Sequence, residues 1–116
     1  MLRKTSTLAI AALMTSASFA AAEEHVIFYL GDAFFPEVTY VDAGDTIRFL
    51  NSSTSTMNIV SQDSEWAVGP VAVDASEAIS VSSGMKVKFF DADSLDGEEG
   101  STAVGGDLSF EPAPLG

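Results

Sequence analysis

The chain contains no cysteine. That excludes a disulfide staple, a thiolate nucleophile and a thiolate metal ligand. It contains one histidine, His25, so chemistry that needs two imidazoles is excluded as well. Basic residues are scarce. Beyond residue 22 only Arg48, Lys86 and Lys88 remain, against 17 acidic residues that all lie at Glu23 or later, a net charge of −14. Nucleic acid and anionic lipid bind through clustered Lys and Arg, so neither is an expected partner. A cation or a basic partner protein is what such a surface attracts, although acidity of this kind also serves solubility alone. No apolar run is long enough to cross a bilayer as a helix. Catalysis is not expected either. A nucleophilic triad needs a base, and the one imidazole stands near the start of the mature chain.

What is present begins with an export signal. Arg3 and Lys4 form a basic start, Leu8 to Met14 a short apolar run, and Ala17 to Ala22 a stretch rich in small residues. That order predicts a secretory signal peptide over residues 1–22. Its short, Ala-rich character points to a bacterial protein, periplasmic or secreted. Cleavage after Ala20 or after Ala22 satisfies the small-residue rule equally well. Residues 23–116 then form one small domain.

The most informative stretch of that domain is Val41 to Val60. Thr46 to Leu50 alternates, with Ile47 and Phe49 on one face and Arg48 on the other. Met57, Ile59 and Ser61 share a face after the polar segment 51–56. The pattern reads as two antiparallel strands joined by a polar loop, entered through an Ala43-Gly44-Asp45 turn. His25 to Leu30 reads as a strand with Val26, Phe28 and Leu30 on one face. Further short strands are expected at 38–41, 71–73, 78–81, 85–90 and 108–110. Pro36 limits pairing at its position to an edge or a strand start. Residues 91–106 are rich in Gly, Asp, Glu and Ser and read as a long loop. About seven or eight short strands without a convincing helix predict an all-β sandwich or barrel.

Phe35-Pro36, followed after four residues by Val41-Asp42-Ala43-Gly44-Asp45-Thr46-Ile47-Arg48-Phe49-Leu50-Asn51, resembles the cupredoxin pattern shared by plastocyanins, pseudoazurins and amicyanins. Trp66 to Pro70, Ser83 to Phe89 and Gly106 to Phe110 resemble later segments of that family. The resemblance implies a Greek-key β-sandwich. The quoted run is scaffold: Gly44 allows a left-handed turn, Asp45 caps it, and Ile47 and Phe49 fill the core.

The resemblance also implies a copper site of two His, one Cys and an axial Met. Here it fails. The first His position matches Met57. Counting back from Gly106 puts the other ligands at Asp96, Glu99 and Val104, whereas counting forward from Gly84 puts the Cys nearer Phe90. Neither count meets a Cys or a His. The expected protein is therefore a cupredoxin-like domain without its blue-copper site, a non-redox binding or accessory module that needs no cofactor. The alternative is a periplasmic copper-binding protein or electron-transfer relative of the family. His25 supports copper if cleavage follows Ala22, because a free amine with His at the third position, Glu23-Glu24-His25, offers Cu(II) a square-planar nitrogen set. Otherwise His25 simply opens the first strand. Met57 is a soft thioether suited to Cu(I), or else a plug for the apolar mouth. Asp91, Asp93 and Asp96 offer oxygens to Ca²⁺, although Leu95 and Gly97 depart from the EF-hand spacing; otherwise they belong to a solvated acidic loop. Trp66 is expected in the core or on its rim.

Overall fold

The computed structural model describes residues 22–95 and 103–114. The expected signal peptide, apart from Ala22, lies outside the described residues, as do Asp96 and Glu99. Among the described residues nine strands form: β1 (Glu24–Tyr29), β2 (Phe34–Phe35), β3 (Val38–Tyr40), β4 (Thr46–Asn51), β5 (Met57–Ser61), β6 (Ala67–Val71), β7 (Ser76–Ser80), β8 (Lys88–Asp91) and β9 (Gly105–Ser109). Short 3-10 turns at Gln62–Ser64 and Ala92–Leu95 are the helical pieces among the described residues. No helix there is long and apolar enough to cross a membrane.

The strands make an all-β sandwich of two mixed sheets, consistent with the cupredoxin-like expectation. One sheet has the order β2-β1-β4-β7 and the other β3-β9-β8-β5-β6. β1 runs parallel to β4, from Glu24 opposite Thr46 to Tyr29 opposite Asn51, and β3 runs parallel to β9. The turn before β4 is as expected, with Gly44 at a φ of 96°, where a side chain would be strained.

Two expectations are corrected. β4 and β5 are not a hairpin: β4 pairs with β1 and β7, and β5 pairs with β6 and β8. Segment 52–56 carries the chain from one sheet to the other. Ile47 and Phe49 thus enter the shared core from one sheet, and Met57 and Ile59 enter it from the other. The second correction concerns β1. Val26 and Leu30 are exposed, while His25, Ile27 and Tyr29 face inward. Both faces of β1 carry apolar residues, so alternation alone does not orient it.

The core is aromatic at its centre. Phe89 meets Phe34 and Phe49 edge to face, with ring centroids 5.0 and 5.3 Å apart, the geometry that the ring quadrupoles favour. Trp66 packs tilted against Phe49 and Phe89 and donates its indole N–H to Lys86 O at 3.0 Å, so it sits on the rim of this cluster. Gly106 lies against the Phe89 ring: a Cβ there would stand 2.6 Å from Phe89 Cζ.

Candidate functional site: the two polar ends of the sandwich

On β4 and the residue before it, Asp45, Ile47, Phe49 and Asn51 are all buried. The inward face is polar at both ends and apolar between them. β1 repeats the pattern with His25, Ile27 and Tyr29. Since β1 and β4 are parallel, His25 lies at the Asp45 end and Tyr29 at the Asn51 end. His25 and Tyr29 are about 13 Å apart along β1, and Asp45 and Asn51 about 20 Å apart along β4.

At the Tyr29 end, the Tyr29 hydroxyl donates to Asp91 Oδ2 at 2.6 Å, linking the two sheets. Asp91 Oδ1 accepts the Asp93 backbone N–H at 3.0 Å, and Ser94 Oγ donates to Asp91 O at 2.7 Å. The Asp91 carboxylate therefore ends β8 and caps the turn that follows. Burial, then the hydrogen bond to Asp91, push the Tyr29 phenol well above its ordinary range. Asn51 is fully buried. Its amide donates to Ser55 O and Val71 O, and its Oδ1 accepts from Ser53 N and Ser53 Oγ. Segment 52–56 is thus folded around one side chain. Met57 is fully buried within the core. It stands two residues before Ile59, which is opposite Asp91 on the neighbouring strand. Val104 packs against the core, and its carbonyl accepts from Asp91 N at 2.7 Å.

The structure thus brings Met57 and Asp91 to one end of the sandwich and sets His25 at the other. Asp91 points inward to Tyr29, whereas Asp93 is exposed. Asp96, the third aspartate proposed for Ca²⁺, lies outside the described residues.

At the opposite end, His25 Nε2 lies 2.8 Å from Asp45 Oδ2. Asp42 N donates to the same oxygen at 2.9 Å, and Glu23 N donates to Asp45 Oδ1 at 3.0 Å. The Asp45 carboxyl is held below its ordinary range, chiefly by the hydrogen bond to His25 and then by the two backbone donors, against the opposing effect of burial. The capping role of Asp45 is legible in the sequence, but its contact with His25 and Glu23 is not. That contact depends on the parallel pairing of β1 with β4. The square-planar copper set at Glu23-Glu24-His25 needs the first amine and the next two amides on one ion. Here Glu23 N serves Asp45, and Glu24 and His25 are paired with β4. Such a chelate and this seating of the N-terminal strand exclude each other.

Two open cavities stand out among the described residues as well. One, of about 320 Å³, is lined by Glu65, Trp66, Ile79 and Met85 with serines around it. Its carboxylate is engaged, since Glu65 Oε1 accepts Lys86 N at 2.6 Å. The other, of about 340 Å³, is lined by Asp32, Phe34, Glu37 and Val104 among others. Neither joins a nucleophile to a base among the described residues. No family model matches this chain, and no curated protein matches it.

Proposed function

We propose that the protein is an exported cupredoxin-like domain that carries no blue copper and serves as a non-redox binding or accessory module. The observation that supports this reading is the make-up of the sandwich end where Met57 and Asp91 stand. A blue site needs a thiolate and two imidazoles around one ion. This end offers a buried thioether and a carboxylate whose two oxygens are taken by Tyr29 and Asp93. The one imidazole of the chain is at the other end.

The acidic surface of the domain fits a basic partner protein, held by contacts that weaken with salt. Electron paramagnetic resonance of the copper-titrated mature protein tests the reading. A narrow-hyperfine signal of the copper–thiolate type overturns it. Absence of that signal supports it, whether or not nitrogen- and oxygen-ligated copper is seen elsewhere on the chain.

A further inference from the structure

We infer that Glu23, His25 and Asp45 form a binding site for one divalent transition cation of the Zn²⁺ class. The inference goes beyond the proposed function: it concerns the opposite end of the sandwich and needs no thiolate.

The geometry comes first. One ligand-type atom from each residue lies within 4.8 Å of the other two. His25 Nε2 is 2.8 Å from Asp45 Oδ2 and 3.9 Å from Glu23 Oε1. With metal–ligand bonds of about 2.0–2.2 Å, two donors on one tetrahedral Zn²⁺ sit roughly 3.3–3.6 Å apart. The His25–Asp45 edge needs to open slightly and the Glu23 edge to close slightly. The Glu23 side chain is 70% exposed and free to make that move.

The chemistry fits the same class. One imidazole and two carboxylates suit Zn²⁺ and its neighbours better than Ca²⁺, which takes an all-oxygen shell. The Asp45 side chain is 6% exposed, and its orientation is fixed by the Glu23 and Asp42 backbone N–H groups. Outer-shell donors of this kind hold a ligating carboxylate in place. The cation takes the place of the hydrogen between His25 Nε2 and Asp45 Oδ2, and the neutral imidazole binds it through Nε2 with its hydrogen on Nδ1. Three protein ligands leave one coordination position for water, on the exposed Glu23 side. The net negative charge of the domain favours the cation's approach.

His25 is the only histidine, so its ring signals in an NMR spectrum need no assignment. The experiment titrates Zn²⁺ alone into the mature protein in two forms, one beginning at Glu23 and one at Ala21. It follows the ring resonances together with calorimetric stoichiometry. The inference predicts one equivalent bound by both forms, with the Nε2 resonance shifted as a metal ligand. It also predicts affinity lowered more than about tenfold in His25→Gln and Glu23→Gln. Asp45→Asn is the third variant, and the first two keep the test valid if it fails to fold. Binding confined to the Glu23 form would assign the ion to the terminal amine and overturn the inference. So would Zn²⁺ uptake that leaves the His25 ring unmoved, or no uptake at millimolar Zn²⁺. None of these results bears on whether blue copper is present.

Discussion

Tyr29 and Asp91, 62 residues apart in sequence, are joined by a buried hydrogen bond of 2.6 Å between the two sheets. Tyr29 ends β1 in one sheet and Asp91 ends β8 in the other. The bond ties the two sheets together at one end of the sandwich. Tyr29→Phe removes the donor and leaves a buried carboxylate oxygen without it, so unfolding free energy should fall by about 1.5–3 kcal/mol. Chemical denaturation of both proteins at neutral pH measures this.

The same pair sets an alkaline limit. The Tyr29 acid is raised in the folded state, while an unfolded tyrosine titrates near pH 10. Below about pH 10 both states keep the proton, and the stabilisation is fully present. As pH rises past that value, the unfolded chain loses its proton first and stability declines. In Tyr29→Phe this contribution to the decline is absent, so the stability gap between wild type and variant should narrow above about pH 10. Denaturant midpoints measured at a series of alkaline pH values show whether it does.

Met57 offers a separate test of how the same end is filled. Its side chain is fully buried and packed with the core. If it serves as packing, Met57→Leu conserves volume and should cost less than about 1.5 kcal/mol, whereas Met57→Ala should cost about 2–5 kcal/mol. Equal losses in both variants would mean that the sulfur itself matters.

The Phe89 ring requires a residue without a side chain at position 106. Gly106→Ala should displace Phe89 from its contacts with Phe34 and Phe49 and cost about 1–3 kcal/mol. Near-ultraviolet circular dichroism, which senses aromatic packing, should change along with the thermal midpoint.

Much of this architecture is legible in the residues, and its limits have physical causes. The alternation of Ile47 and Phe49, and of Met57 and Ile59, marks two half-buried strands correctly. It does not say whether they lie side by side or face to face, because either arrangement buries the same side chains. β1 carries apolar residues on both faces, so nothing local distinguishes Ile27 and Tyr29 as the inward set. Asp91 belongs by composition to an acidic loop. Only the pairing of β8 with β5 and the reach of Tyr29 show that it is the buried last residue of a strand. The meeting of His25 with Asp45 likewise rests on a parallel contact between strands about 20 residues apart in sequence, and such long-range pairing leaves no local pattern.

The central claim is that the sandwich end bearing Met57 and Asp91 has no redox metal chemistry. Protein-film voltammetry of the mature protein after exposure to copper, with its visible spectrum recorded alongside, tests it most directly. The account predicts no reversible one-electron couple of a buried centre and no intense visible absorption. A deep colour accompanied by a reversible couple that survives His25→Gln would contradict it.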